Sequence, residues 1–380
     1  MNISYNFDSG SIEVIDSKDI NNIQLKLTTD NADKTMQWFH FRCHSKAGLN
    51  HTINIVNAGE SSFSRAWDNY QTMASYDQVN WFRVPTQFID NQLVINFTPK
   101  SDVISYAYFT PYDHARQQAY TKQVQQFTHC QHTQLAKTFD NNAIELFTIG
   151  TPDVGNKVVW IIARQHPGET MAQWFSEGVI NQLLSQNAIS QQLLEKAVFY
   201  IVPNMNPDGS IRGNHRTNSH GINLNRQWHN PSKTLCPEVY YVQKKMLSTG
   251  VDLLLDIHGD EEIPYNFIMP AKGACTIATQ ANQFKVDFMN VTKEFQSEVD
   301  YDSFHNKQSS CCGTSCNGIS SKQVMATQYV TNTFGCLAMV LEMPFIDHNN
   351  QPNSITGWSA KRSNNLGANI LKPIYKFLQD

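Results

Sequence analysis

Two histidines and one glutamate have the residue types and positions of a catalytic metal site. His166 and Glu169 form an H-x-x-E pair directly after the apolar run at 158–163, and Glu169 opens a segment with helical apolar periodicity. His258 follows a second apolar run, at 251–257. Because ligands bind outside the carboxyl ends of strands in open α/β sheets, we expect these three side chains to meet. Two imidazoles and a carboxylate leave a fourth zinc position open, which is the catalytic arrangement.

The H-x-x-E pair alone is a weak signal, because a chain with thirteen histidines often contains one by chance. His258 and Glu261 form a second pair of this kind. Context favours the first pair, since an amphipathic segment follows Glu169 whereas Pro264 follows closely behind Glu261. Each histidine taken alone is more often an ordinary loop residue, so the metal-site prediction depends on the whole set.

A further carboxylate, Glu342, ends the apolar run at 337–341 and precedes Met343 and Pro344. Removing a lone carboxylate from water is costly, so such a group is either paired or functional. Zinc lowers the pKa of water from about 15.7 to around 7, which makes a nearby carboxylate an adequate general base. A buried salt bridge is the alternative interpretation of Glu342.

The polar segment at 204–228 carries a group of arginines. It begins with a turn signal at 206–209 and continues through Arg212, Arg216 and Arg226, with Asn225 beside the last. Guanidinium groups bind carboxylates in a bidentate manner, so this loop is a candidate surface for anion recognition. Any one of these arginines taken alone is more often a solvated surface residue. The pattern does not divide roles among them.

The elements that must position these residues follow two patterns. Up to about residue 112, short runs alternate apolar and polar residues, as at 23–27 and 52–56, and turn residues separate them. This pattern predicts an antiparallel β-sandwich. Beyond it, apolar runs alternate with helix-length amphipathic segments, which predicts an α/β domain with a mostly parallel or mixed sheet. We therefore expect two domains, 1–112 and 113–380.

Composition limits the classes of function to consider. The chain has 380 residues, of which 41% are hydrophobic and 16% charged, and its formal net charge is −4. This small charge, without a basic cluster, gives little support to a nucleic-acid partner. No apolar run approaches the roughly 20 residues that span a bilayer, and the N-terminus lacks the features of a secretory signal. We expect a cytoplasmic protein with no membrane partner, and its oligomeric state stays open.

The eight cysteines fit that expectation, since they are thiols in a reducing compartment. Most are widely spread, but Cys311, Cys312 and Cys316 lie close together. Three sulfurs could bind a metal ion. The cluster lacks the paired C-x-x-C spacing of a zinc site, so we do not expect a metal there.

Taken together, the motifs resemble the zinc carboxypeptidases of the carboxypeptidase A superfamily, and most closely the cytosolic carboxypeptidase subfamily with its bacterial members. The motifs are A-R-Q-H-P-G-E-T at 163–170, N-M-N-P-D-G at 204–209, G-N-H-R at 213–216, N-L-N-R at 223–226 and D-I-H-G-D-E at 256–261. The segments 37–42 and 75–85 look like the β-sandwich that precedes the catalytic domain in this subfamily. The resemblance therefore covers nearly the whole chain and implies a mixed-sheet zinc carboxypeptidase domain after the sandwich.

The resemblance implies a metallocarboxypeptidase that hydrolyses the C-terminal peptide bond of peptides or proteins. It assigns one Zn²⁺ ion to His166, Glu169 and His258. It makes Glu342 the general base and gives Arg216 the role of polarising the scissile carbonyl and holding the oxyanion. The substrate partner is the C-terminus of a peptide or protein.

The same resemblance also implies how substrate is bound. Asn225 and Arg226 correspond to the residues that bind the terminal carboxylate. Eukaryotic relatives place a basic residue upstream of the catalytic glutamate to bind acidic side chains. Lys322 is the nearest candidate here, although its register differs by several residues. Removal of acidic C-terminal residues is thus an expectation that rests on Lys322.

Two other functions are compatible with parts of the pattern. An aspartoacylase-like zinc amidohydrolase, which cleaves N-acyl amino acids, resembles the same scaffold. The complete loop at 223–226 and the N-terminal strands argue against it. A non-enzymatic peptide-binding module would require a decayed site, but the matched motifs have lost no catalytic position.

Overall fold

The first part of the chain forms two β-sheets that face each other. The computed structural model describes residues 1–153, 155–271, 277–290 and 324–379. The first ten strands are β1 (Asn2–Ser4), β2 (Glu13–Asp16), β3 (Ile23–Lys26), β4 (His40–His44), β5 (His51–Ile55), β6 (Thr72–Ser75), β7 (Trp81–Val84), β8 (Thr86–Ile89), β9 (Gln92–Phe97) and β10 (Val103–Ala107). They form sheets of order β1-β4-β10-β6-β7 and β2-β3-β5-β9-β8.

Alternating burial along the strands explains this sandwich. In β3 and β5 every second residue is buried, as the apolar-polar alternation requires of strands with one face in a core. Ile53 and Ile95 of one sheet share an apolar cluster with Phe41 and Tyr106 of the other. The pairs are antiparallel except for β3 and β5, which run parallel. The predicted antiparallel β-sandwich is confirmed, with this one parallel pair.

A seven-stranded sheet forms the second part of the chain. Its strands are β11 (Cys130–Lys137), β12 (Ala143–Ile149), β13 (Lys157–Ala163), β14 (Ala197–Val202), β15 (Leu253–Asp260), β16 (Phe267–Pro270) and β17 (Leu337–Pro344), in the order β11-β12-β14-β13-β15-β17-β16. The central strands β14, β13, β15 and β17 are parallel, and the strands outside them are antiparallel. This arrangement confirms the predicted mixed sheet.

Helices cover the two faces of this sheet. The described residues form α1 (His114–Val124), α2 (Thr170–Leu184), α3 (Ala188–Lys196), α4 (Pro207–Arg212), α5 (Pro237–Thr249), α6 (Ala278–Met289), α7 (Ala326–Phe334), α8 (Ala360–Asn369) and α9 (Leu371–Phe377). Helices α5 and α7 pack in the apolar cluster on one face, and α2, α6, α8 and α9 pack in the cluster on the other. Among the described helices, none has the length and apolar character needed to cross a membrane.

The sandwich and the seven-stranded sheet share a tightly packed interface. Tyr108 stacks on Phe345 with ring centroids 4.6 Å apart. The partly buried Arg83 donates hydrogen bonds from β7 to the carbonyl oxygens of Phe345 at 2.6 Å and Thr356 at 3.3 Å. One apolar cluster runs through the sandwich and one face of the larger sheet. The sandwich is therefore held rigidly against the part of the chain that contains the candidate metal ligands.

Helices α2 and α8 approach each other at two glycines. A Cβ atom on Gly178 would lie 1.9 Å from the carbonyl oxygen of Asn364, and one on Gly367 would lie 2.0 Å from that of Phe175. Both contacts are with backbone, which cannot move aside as a side chain can. The absence of a side chain at these positions lets α2, which begins beside Glu169, lie close to its neighbour.

The substitution Gly367→Ala tests this close approach. Alanine normally stabilises a helix by about 1 kcal/mol relative to glycine. Here the methyl group would force the two helices apart, and overpacking of this kind costs typically 1–3 kcal/mol. We expect a lower free energy of unfolding in denaturant titrations, while Lys361→Ala, at an exposed position of the same helix, leaves it nearly unchanged. An unchanged or higher stability for Gly367→Ala would show that the helices do not meet at this residue.

Candidate metal centre

The three predicted metal ligands meet at the carboxyl ends of β13 and β15. His166 lies just beyond β13, Glu169 precedes the first residue of α2, and His258 lies within β15. The Nδ1 atom of His166 is 2.6 Å from Oε1 of Glu169, and the Nδ1 atom of His258 is 2.8 Å from Oε2 of the same carboxylate. All three side chains are buried, and one ligand atom from each lies within 4.8 Å of the others.

The opposite ring nitrogen of each histidine is engaged by a neighbouring polar group. Nε2 of His258 lies 3.0 Å from Oδ1 of Asp256, and Nε2 of His166 lies 3.2 Å from Oδ1 of Asn223. Such partners fix the orientation of the imidazoles and leave Nδ1 free to ligate a metal. Asp256 is itself held, because Gln165 donates to both of its oxygens at 2.9 and 2.8 Å.

The loop between His166 and Glu169 is fixed by contacts with two other residues. Gly168 donates its N–H to the carbonyl oxygen of His215 at 2.9 Å, and a Cβ atom at Gly168 would lie 2.4 Å from the imidazole of His215. Arg164 is buried with a φ of 57°, an uncommon value for a residue with a side chain. Its guanidinium donates a hydrogen bond to the carbonyl oxygen of Pro167 at 2.8 Å, which fixes the backbone of the loop.

Burial and mutual charge set the pKa values of the three side chains. Burial lowers the pKa of His166 to about 4, so this imidazole is neutral at neutral pH. Burial alone would raise the pKa of Glu169, but the two imidazoles outweigh it and hold this pKa below its usual range. For His258, burial acts to lower the pKa, whereas Asp256 and Glu169 raise it well above its ordinary value. The carboxylates thus form a negative environment that favours a cation among the three ligand atoms.

The donor set fits zinc. Two imidazole nitrogens and one carboxylate oxygen are borderline and hard ligands of the type that zinc prefers, and three protein ligands are typical of a catalytic site. Charged and polar groups buried this deeply are costly unless they are paired or bind a metal. A divalent cation would neutralise the carboxylate of Glu169 and the negative charge of Asp256 behind His258.

Glu342 lies beside the three ligands on the neighbouring strand. In the parallel pair of β15 and β17, Glu342 is the register partner of His258. Its Oε2 atom is enclosed and has no hydrogen-bond partner among the described residues. Burial raises the pKa of Glu342 well above its usual range, Glu169 raises it further, and His258 opposes the rise. The salt bridge that was the alternative interpretation of Glu342 is not present in the described part of the chain.

The arginines of the polar loop have different surroundings. Arg212 forms a partly exposed ion pair with Asp140, at 2.7 and 2.9 Å. Arg216 and Arg226 pair with no carboxylate in the residues that the structure describes. Burial lowers the pKa of Arg226, and the nearby positive charge of Arg216 lowers it further. Two neighbouring guanidinium groups without an acidic partner form a cationic surface that would bind an anion.

Asn225 lies between this cationic surface and the candidate metal ligands. Its Nδ2 atom is 3.3 Å from Nε2 of His258, and its Oδ1 atom accepts the N–H of Ala326 at 3.1 Å. Its amide oxygen is therefore engaged with the backbone, and its part in binding a terminal carboxylate stays a prediction. Lys322 and the cluster of Cys311, Cys312 and Cys316 lie outside the described residues.

Several residues of the site were not assigned a role from the sequence. Asp256 could have been found, because it precedes His258 by two positions and therefore lies on the same face of β15. Asn223 and Gln165 carry no comparable signal, since each reaches the site from a loop. Glu261, the glutamate of the second H-x-x-E pair, lies 2.8 Å from Nε2 of His215 and not beside His258.

Comparison with known proteins supports the chemistry of this centre. A family model described as "Zinc carboxypeptidase" matches residues 116–356, and one described as "Cytosolic carboxypeptidase N-terminal domain" matches residues 3–109. An uncharacterized protein of Zymomonas mobilis is 34% identical over 376 residues, which cover 98% of this chain and 95% of that protein. Human cytosolic carboxypeptidase 1 is 29% identical over 282 residues, which cover 62% of this chain and 23% of that protein.

A solved structure agrees with the whole chain. A metallo-carboxypeptidase from Pseudomonas aeruginosa, in complex with (2-guanidinoethylmercapto)succinic acid, has a TM-score of 0.91 and 38% identity, covering 100% of this chain and 99% of that one. The matches thus extend over both the sandwich and the seven-stranded sheet. The chain belongs to the zinc carboxypeptidase family, as a zinc-dependent metallocarboxypeptidase whose cofactor is one catalytic Zn²⁺ ion and whose first part is the N-terminal domain of the cytosolic carboxypeptidases.

Proposed function

We propose that the chain hydrolyses the C-terminal peptide bond of peptides or proteins, with zinc held by His166, Glu169 and His258. One observation carries the proposal. The three buried side chains lie together, and beside them lies Glu342, whose Oε2 atom has no hydrogen-bond partner among the described residues. A zinc ion held there supplies Lewis-acid chemistry, which polarises a carbonyl group and lowers the pKa of water.

Glu342 is the proposed general base. Its carboxylate accepts a proton from the attacking water and delivers that proton to the amine nitrogen as the peptide bond breaks, so that the carboxylate is regenerated. The position of Glu342 opposite His258 supports this role, as does the absence of a described partner for its Oε2 atom. A bound divalent cation would favour the ionised form of Glu342, because it opposes the effect of burial.

The two guanidinium groups are the proposed substrate-binding groups. Arg216 stabilises the negative charge that develops on the carbonyl oxygen, and Arg226 with Asn225 binds the terminal carboxylate. The lowered pKa of Arg226 supports this assignment, since burial and the charge of Arg216 both make an anionic partner favourable. The P. aeruginosa metallo-carboxypeptidase is in complex with a succinic acid derivative, a dicarboxylate of the charge that such groups bind.

Three finer points are also proposals. We infer a division into domains at 1–112 and 113–380, and a cytoplasmic location, which the names of the relatives support. Preference for acidic C-terminal residues rests on Lys322, and faster cleavage of peptides ending in glutamate than in glutamine would test it.

Loss of one histidine ligand should remove metal and activity together. We expect His166→Ala and His258→Ala to contain far less than one zinc per chain by elemental analysis, because each loses one of three protein ligands. Asp256→Asn should keep the ligands but weaken zinc affinity by about 10- to 100-fold, because Asp256 orients His258. The control His129→Ala, at an exposed position, should bind zinc normally. Full zinc occupancy in either ligand variant would refute the assignment.

Replacing the proposed base should affect chemistry and leave the metal in place. Glu342→Gln keeps the size of the side chain but cannot accept the proton, so kcat should fall by about 10² or more while zinc content stays at one per chain. The control is Glu262→Gln, which removes a partly exposed partner of Arg65. Near-normal turnover by Glu342→Gln would mean that another group is the base.

The proposed carboxylate site should distinguish a free C-terminus from an amide. Loss of one desolvated charge pair costs about 2–5 kcal/mol, or roughly 30- to 4000-fold in kcat/KM for the amidated peptide. Arg226→Ala should remove most of this discrimination, whereas Arg212→Ala, which removes an ion pair of the same loop, should preserve it. Equal cleavage of amidated and free-acid peptides by the unmodified protein would contradict the carboxypeptidase proposal and favour the aspartoacylase-like alternative.

A further inference from the structure

A carboxylate from the N-terminal sandwich binds the backbone of the loop that carries Arg216. Asp30, in the connection between β3 and β4, is only 4% exposed. Its Oδ1 atom accepts the N–H of His215 at 2.6 Å. Its Oδ2 atom accepts the N–H groups of Arg216 and Thr217, both at 2.8 Å, and the hydroxyl of Thr217 at 3.0 Å. One side chain thus binds three consecutive peptide groups that lie about 186 residues away in the sequence.

The connection that carries Asp30 is itself held in place. The N–H of Asp30 donates to the carbonyl of Thr35 at 2.7 Å, which closes a turn within the sandwich. Asn31, the next residue, accepts a hydrogen bond from Asn214 at 2.5 Å and donates one to the carbonyl of Ser219. The sandwich therefore contacts the arginine loop on both sides of Arg216.

The side chain of Arg216 also meets the sandwich. Its guanidinium carbon lies 5.6 Å from the centroid of the Phe63 ring, within the range of a cation–π contact. The same ring packs edge-on against His215 at 5.8 Å. In the described chain, no protein acceptor is recorded for the guanidinium of Arg216. Its backbone is thus fixed while its donors stay available to a ligand.

We propose that Asp30 is a positioning residue of the carboxypeptidase reaction, which sets the location of Arg216 relative to the metal ligands. This inference rests on the proposed role of Arg216 in stabilising the oxyanion. A carboxylate suits the task because it is an acceptor only and forms charge-assisted hydrogen bonds to all three N–H groups. The N-terminal sandwich therefore contributes directly to the geometry of the active site and is more than a neighbouring domain.

The substitution Asp30→Asn tests this role with little change in size. The amide NH₂ of asparagine would face peptide N–H donors, so the loop must shift to avoid donor–donor contact. Displacement of a catalytic group by about 1 Å can cost roughly 100-fold, and we expect kcat to fall by roughly 10- to 100-fold with zinc content unchanged. The control Asp33→Asn alters a carboxylate that binds Thr35 within the sandwich, and its kcat should match that of the unmodified protein. Unchanged kcat in folded, zinc-loaded Asp30→Asn would overturn the inference.

A double-mutant cycle with Arg216→Ala separates positioning from general stability. If Asp30 acts through Arg216, Asp30→Asn should change kcat by less than roughly twofold once Arg216 is already alanine. Equal effects in both backgrounds would assign Asp30 a structural role only and overturn the inference. Near-normal turnover by Arg216→Ala alone would instead reject the proposed role of Arg216.

The substitution Thr217→Val provides a second test in case Asp30→Asn does not fold. It removes one of the four hydrogen bonds that Asp30 accepts. A fall in kcat of roughly fivefold would support the inference, whereas an unchanged kcat would overturn it.

Discussion

The carboxylate of Glu169 lies between two imidazoles, and the rest of the site is arranged around this contact. The two carboxylate oxygens of Glu169 lie 2.6 and 2.8 Å from the ring nitrogens of His166 and His258, and these close partners offset the cost of burying the carboxylate. Asp256 orients the ring of His258 and Asn223 orients the ring of His166, each through a contact with the Nε2 atom. Since His166 follows β13 and His258 lies near the carboxyl end of the adjacent parallel strand β15, the register of the two strands sets the distance between the histidines.

Charge is distributed unevenly about this centre, and the distribution matches the chemistry of peptide hydrolysis. On one side, burial and the neighbouring Glu261 raise the pKa of Asp260 to about 7, and the pKa of Glu342 is also raised. On the other side lie Arg216 and Arg226, for which the structure records no acidic partner in its described residues. A cation among the ligands would compensate the first group, and a substrate carboxylate or oxyanion would compensate the second.

The residues of the proposed site could be predicted from the sequence because their signals are local. His166, His258 and Glu342 each come at or just after the end of an apolar run in the sequence, and an open sheet brings the carboxyl ends of such strands to one edge. The same reasoning could not separate Arg212 from Arg216. That difference depends on Asp140, which reaches Arg212 from 72 residues away. Nor could it find Asp30, whose partners are contributed by another part of the chain. Contacts of this kind leave no periodic pattern, and neither does the parallel pairing of β3 with β5.

Anomalous X-ray scattering at the zinc absorption edge would locate the metal ion among the proposed ligands. We expect one strong peak per chain, about 2.0–2.2 Å from the Nδ1 atoms of His166 and His258 and from a carboxylate oxygen of Glu169. A peak at the Nε2 atoms, at a cysteine cluster or at any other site, with none among these three side chains, would contradict it.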